Sequence, residues 1–224
     1  MNVLVTGGSS GLGAAVVDAV AKAGGTPYVI DRQAPADGVD WVECDLADTR
    51  AAEAATRTVI ERAGSLDGVV TAAGMDVPGA LADIPAETWE RIVTIDLFAT
   101  AAVIRAALPA LVESHGTAVT VASTLGVKAV GDATAYCAAK FGVVGFTRSL
   151  AAELAGKVGV TLIVPGGMRT KFFDDRDEQY KPGPDAILND PANVAAAIMF
   201  ALNQPAGCAV RELVVAAETE TSYP

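Results

Sequence analysis

Short apolar runs rich in Val, Ile, Thr and Ala recur along the chain, and most give way to a longer stretch with helical spacing. The runs Asn2–Thr6, Thr26–Ile30, Trp41–Cys44, Leu66–Thr71, Thr117–Ala122, Val158–Val164 and Glu212–Ala216 predict strands. Helices are predicted over Ala14–Ala23, stopped by Gly24-Gly25, and over Thr49–Ala63, ending at Gly64. A long helical pattern runs from Glu87 to about Val112, another from about Thr134 to about Gly156, and a last one covers Ala192–Leu202 after Pro191. In the long one, Trp89, Ile92, Val93, Leu97, Ala101 and Ile104 form the apolar stripe, and Asp96 falls inside it. A carboxylate on a buried face needs a partner. Met75–Pro85 reads as a loop, and Glu218–Pro224 as a tail. Lys171–Pro191, with Pro182-Gly183-Pro184 at its middle, is the most polar and irregular segment and reads as a substrate-side loop. Strands alternating with helices predict one α/β domain over residues 1–224. Its doubly wound, mainly parallel sheet has about seven strands, with helices on both faces.

Composition narrows the partners. The chain has 224 residues, 51% of them apolar with few aromatics, so its core is made of Ala, Val, Leu and Ile. A net charge of -11 argues against nucleic acid or an anionic membrane as partner. No apolar run reaches the ~18 residues of a span, and Arg105 interrupts the best candidate. No signal-peptide pattern is present. Cys44, Cys137 and Cys208 are scattered without metal spacing and suit a reducing cytoplasm. With His115 the single histidine, a His-based metal site or a Ser-His triad is not expected.

The first strand runs straight into Thr6-Gly7-Gly8-Ser9-Ser10-Gly11-Leu12-Gly13 and then a helix. Strand, glycine loop and helix together form a diphosphate site. Glycine permits the tight turn and close backbone approach, and the helix N-terminus supplies N–H groups and the positive end of its dipole. The second strand ends at Asp31, eighteen residues past Gly13, near the place of an acid that binds ribose hydroxyls. A carboxylate there repels a 2′-phosphate, which favours NAD over NADP. The neighbouring Arg32 is a candidate for that phosphate. After the third strand, Asp45-Leu46 is placed to meet adenine, and the small residues Ala72, Ala73 and Gly74 let a nucleotide lie against the fourth strand's end.

A second constellation follows the fifth strand. Ser123 closes it, and Tyr136 and Lys140 lie one helical turn apart on one face. A free Tyr titrates near pH ~10. A Lys cation ~4 Å away contributes roughly 4 kcal/mol at an effective dielectric of ~20. That lowers the Tyr pKa by about two to three units, to near ~7 to 8, once desolvation takes some back. Tyr136 can then exchange a proton with a substrate oxygen that Ser123 holds.

Taken together these residues resemble the short-chain dehydrogenase/reductase family, from Asn2 to about Ala217. The glycine motif is met by Thr6, Gly7, Gly11 and Gly13, the active-site trio by Ser123, Tyr136 and Lys140, and a Pro-Gly-x-x-x-Thr motif by Pro165, Gly166 and Thr170. The resemblance implies a Rossmann-like fold, an NAD(H)-dependent enzyme interconverting a secondary alcohol and a ketone, and a homodimer or homotetramer joined through Leu97–Leu108 and Phe141–Leu150. It further implies that Lys140 binds ribose, that Thr170 binds the nicotinamide carboxamide, and that Ser9, Ser10, Leu12 and Met168 lie along the cofactor. Thr71 and Asp96 stand where family members usually carry Asn. A relay through the backbone carbonyl at Asp96 tolerates the change, whereas one through the side chain does not. A redox-inactive nucleotide-binding regulator or scaffold of the same fold is the alternative. An epimerase of the extended branch would want a second domain. Met75, Leu125, Val127, Met168, Phe172 and Phe173 are expected to line an apolar substrate pocket, with Lys128 a candidate anion contact.

Overall fold

Seven strands join one sheet in the order β3-β2-β1-β4-β5-β6-β7, every neighbouring pair parallel. The computed structural model describes residues 1–223. The strands are β1 (Asn2–Thr6), β2 (Thr26–Asp31), β3 (Asp40–Glu43), β4 (Gly68–Thr71), β5 (Thr117–Val121), β6 (Gly159–Pro165) and β7 (Glu212–Val215). Parallel pairing needs crossovers, and helices supply most of them: α1 (Gly11–Lys22), α2 (Thr49–Ala63), α3 (Ala86–Val93), α4 (Ala99–Ser114), α5 (Thr134–Glu153) and α6 (Pro191–Leu202).

Alternation along the strands decides the layers. Val3 and Val5 of β1 pack with Val16, Val20, Val194 and Ile198, so α1 and α6 cover one face. Leu4 points the other way, into a cluster with Val59, Val103, Leu111 and Leu150 from α2, α4 and α5. Burying each such side chain contributes about 1.5–3 kcal/mol. The sheet is buried on both faces, as a doubly wound architecture requires.

The predicted helix from Glu87 is observed as one rod, Ala86–Ser114, in which Thr94–Phe98 forms a π-helical turn between α3 and α4. Among the described residues it is long and apolar enough to cross a membrane by length and composition, although no span was expected. Here its Val103, Ile104, Ala107 and Leu111 are core residues against the sheet. The π turn carries one extra residue per turn and re-aims Asp96 into the protein, where it is fully buried. At the C-terminal ends of the central strands, Thr6, Thr71 and Thr120 stand in register across β1, β4 and β5. The strand order reverses between β1 and β4, which opens the crevice used by ligands in sheets of this kind.

Candidate active site

One end of the crevice is the loop between β1 and α1. A Cβ on Gly13 would stand 2.1 Å from the Gly7 carbonyl oxygen, and one on Gly7 would stand 2.8 Å from Ala73 Cα. Gly7 also has a φ of 72°, so only glycine brings the backbone this close. Ser10 is the N-cap of α1, yet its side chain makes no capping bond, which leaves the hydroxyl and the helix N-terminus for an anion. Asp31 steadies the loop: its Oδ2 accepts from the Ser9 N–H at 3.0 Å and the Ser9 hydroxyl at 2.7 Å, and its Oδ1 accepts from Gln33 N–H. One lone pair on Oδ1 remains for a ribose hydroxyl. Thr170 reaches the loop from the far side, 3.6 Å from where a Gly11 Cβ would be. A groove of about 490 Å³ opens beside Thr170, bounded by Arg169, Phe173, Lys181 and Leu188. This cradle fits a dinucleotide diphosphate.

The other end gathers four side chains from three elements. Ser123 follows β5, and its Oγ accepts from Leu125 N–H at 3.1 Å. The Ser123 hydroxyl is near enough to Tyr136 to favour its ionised form. Lys140 Nζ lies 5.4 Å from the Tyr136 ring centre and donates to the Val121 carbonyl at 3.1 Å. Its ammonium lies 3.2 Å from Asp96 Oδ2, too poorly aligned to satisfy that oxygen, which has no hydrogen-bond partner. Asp96 Oδ1 accepts from Met75 N–H at 2.8 Å. The arrangement can hold a substrate oxygen between a hydroxyl and a phenol, with a cation behind the phenol.

The chain matches the family model described as short chain dehydrogenase over residues 1–181. It belongs to the short-chain dehydrogenase family. It is 30% identical to the 3-oxoacyl-acyl-carrier-protein reductase MabA of Mycobacterium bovis over 213 residues, covering 92% of this chain and 86% of that one. To the L-fucose dehydrogenase of Mus musculus it is 28% identical, covering 99% of this chain and 89% of that one. Its fold superposes with a TM-score of 0.83 on an alcohol dehydrogenase of the archaeon Thermococcus sibiricus, complexed with 5-hydroxy-NADP, at 22% identity, covering 96% and 95% of the two chains.

Within this short-chain dehydrogenase, the electrostatics correct one expectation. Burial pushes the Tyr136 phenol above its ordinary value of 10.0. Lys140 and the neighbouring Ser123 hydroxyl pull it down, while Asp96 and Asp76 push it up. The lowering argued from the sequence counted the lysine and too little else. Burial alone would lower Lys140, but Asp96 and Tyr136 outweigh it and hold the ammonium above the lysine range. Burial raises Asp96, against the pull of Lys140. It is the Asp96 side chain that faces Lys140, and the Asp96 backbone carbonyl accepts the Thr100 hydroxyl at 3.1 Å.

Other named residues divide. Met75, Leu125 and Phe172 pack with Tyr136, Phe172 at 5.8 Å between ring centres. Val127 is half-buried against Leu97, Val143 and Val144, and Met168 is half-buried against the cluster beneath α1 and α6. Phe173 stacks edge-on against Phe172. Lys128 donates to the Thr221 carbonyl at 2.9 Å. Asp45 is held by both oxygens to Arg91 of α3, at 3.1 and 2.9 Å, so an adenine contact must share it. The Leu46 side chain is in the core. Arg32 is exposed. Gly74 lies against Asp96, 3.3 Å from a would-be Cβ. Gly166, after Pro165, faces the tail residue Glu220 rather than open crevice. Asp76 and Arg176 escaped the sequence reading. They pair at 2.7 Å beside the Tyr136 cluster, exposed by only 4% and 13%. Two charges a hundred positions apart in irregular segments leave no periodic signal. Among the described residues, no group of three His, Cys, Asp or Glu is placed to hold a metal ion.

Proposed function

We propose that the protein is an NAD(H)-dependent oxidoreductase interconverting a secondary alcohol and a ketone. The convergence of Ser123, Tyr136 and Lys140 at one end of a dinucleotide cradle carries this reading. A bound nicotinamide dinucleotide supplies or accepts the hydride. The residues that would hold it are Gly7, Ser9, Ser10, Gly11, Leu12 and Gly13 at the diphosphate, Asp31 at the ribose, Ala72, Ala73 and Gly74 along the nucleotide, and Thr170 with Pro165 at the nicotinamide end. Ser123 holds the reacting oxygen. Tyr136 gives it a proton in reduction and takes one in oxidation, and Lys140 steadies the phenolate.

NAD is preferred over NADP in this reading because the buried Asp31 carboxylate sits at the end of β2. The protein acts on a small molecule, in the cytoplasm, as a homodimer or homotetramer. Exposed Phe98 and Phe141, on the π turn and α5, support pairing through those helices, and light scattering at micromolar concentration checks it. Retention of Ser123, Tyr136 and Lys140 disfavours a redox-inactive scaffold. The test is spectrophotometric: NADH or NADPH with a broad panel of ketones should show absorbance loss, and no turnover of either cofactor would reject the proposal.

A further inference from the structure

Around Tyr136 the walls are apolar: Ile92, Met75, Ile84, Trp89, Leu125 and Phe172. Beyond Ser123, Lys140 and Asp96 of the proton path, the Asp76–Arg176 pair is charged. Asp76 follows Met75 directly, and its charge reaches Tyr136. The Arg176 guanidinium lies 5.0 Å from the Phe172 ring and 4.7 Å from Phe173. The pair thus flanks the aromatic ring that covers Tyr136.

It is a half-made pair. Arg176 Nη2 donates to Asp76 Oδ2 at 2.7 Å. Asp76 Oδ1 and Arg176 Nε are buried without any partner. A carboxylate and a guanidinium can join through two parallel bonds, and here the second is missing. A buried polar atom left unpaired costs free energy. Burial also raises the Asp76 carboxyl, Arg176 opposing it.

Resting on the oxidoreductase reading above, we propose that Asp76 and Arg176 form a polar subsite for a hydroxyl group on the substrate, next to the carbon that Tyr136 serves. A hydroxyl both donates and accepts. It can give its proton to Asp76 Oδ1 and accept from Arg176 Nε, completing both with one group while the 2.7 Å ion pair stays intact. A carboxylate would have to displace Asp76 from the guanidinium, and it would face Asp96 as well. A purely apolar substrate leaves both atoms unpaired. The substrate class is therefore a hydroxyketone and its diol, with Phe172 moving aside to admit it.

Butanone, acetoin and acetoacetate share one carbon skeleton and differ in the neighbouring group. With the full chain and its preferred cofactor, kcat/KM for acetoin should exceed that for butanone by roughly ten- to a hundredfold, the scale of a buried hydrogen-bonded group. In Asp76→Asn and Arg176→Gln that ratio should fall to within about threefold of unity. A merely structural role would lower both rates together and keep the ratio. An unchanged ratio in both variants, a wild-type ratio near one, or preference for acetoacetate overturns the subsite. If no ketone is turned over, the oxidoreductase reading fails separately. The subsite is then judged by calorimetry on the cofactor-loaded protein: a vicinal butanediol should bind more tightly than sec-butanol, and Asp76→Asn should erase the difference. Equal affinities for diol and alcohol reject it.

Discussion

The two ends of the crevice are built on opposite terms. At the diphosphate end, backbone meets backbone at distances that exclude a single methyl group, and the one buried carboxylate, Asp31, accepts three hydrogen bonds. At the hydride end, buried charges are incompletely paired. Among the described residues the buried side-chain atoms without a partner are Thr71 Oγ1, Asp76 Oδ1, Asp96 Oδ2 and Arg176 Nε. They belong to the end of β4, the Met75–Pro85 loop that follows it, the π turn and the substrate-side loop. A cradle for a common ligand is finished before the ligand arrives. A site that must discriminate and move a proton keeps polar capacity unspent, and low local dielectric makes each such charge act strongly on Tyr136.

The largest test of the hydride end removes its proton carrier. Tyr136→Phe keeps the packing against Phe172 and should lower kcat by at least ~10²-fold, with dinucleotide affinity little changed. Lys140→Met should lose both rate and dinucleotide affinity, because Lys140 is assigned a part in each. Steady-state kinetics beside calorimetric titration separates the two. If Tyr136→Phe retains most of its activity, the incomplete pairing around it has another purpose.

The same contrast explains what the sequence disclosed. A steric cradle leaves a local signature, since Gly7, Gly11 and Gly13 sit together between one strand and one helix. Tyr136 and Lys140 were legible for the same reason, being one turn apart on α5. The alternating strands made the parallel sheet legible, with β4 shorter at its start and α5 at its end than expected. The phenol's raised proton affinity was not legible, because it depends on how deeply Tyr136 is buried and on Asp76 arriving from elsewhere. Nor was the π turn, because one extra residue in a helix hardly disturbs an apolar stripe. Val127 and Met168 each touch a core cluster while remaining half-exposed, and composition alone does not separate such packing from pocket lining.

At the diphosphate end, Gly13→Val tests whether shape alone is decisive. The new Cβ would meet the Gly7 carbonyl, which is backbone and cannot swing away. Dinucleotide Kd should rise at least ~tenfold, a loss of about 1.4 kcal/mol or more, with the far-ultraviolet circular dichroism of the fold preserved. Unchanged affinity would mean that the cradle is looser than its contacts imply. Asp31→Ala should act less strongly and more selectively. It removes the charge facing a 2′-phosphate and also frees Ser9, so NADH loses affinity while the NADPH to NADH ratio of kcat/KM rises roughly tenfold. A wild-type preference for NADPH would instead give Arg32 the phosphate and overturn the proposed role of Asp31.

The smallest effect is the most informative about the hydride end. Alcohol oxidation needs the phenolate, so its rate should climb with pH through the ionisation of Tyr136, whose midpoint burial and the aspartates hold high. Asp96→Asn preserves a side-chain oxygen for the Met75 N–H and deletes the charge. Tyr136 then loses one of the influences raising it, and the alkaline limb should move to lower pH, with the plateau rate changed by less than in Tyr136→Phe. Stability supplies a second reading. Lys140 is raised above its unfolded value of 10.5, so its contribution is full below that pH and is lost as pH rises through the folded value. Without Asp96 that alkaline loss should begin earlier. Asp96 is itself raised above 3.8, so its contribution is full below that value and declines as pH rises through its folded pKa. Asn should remove this decline. Thermal unfolding of the two proteins across the pH range follows both limbs. A rate limb that stays in place while the stability limbs move would restrict Asp96 to holding Lys140 and Met75, and would leave the tuning of Tyr136 to burial and Asp76.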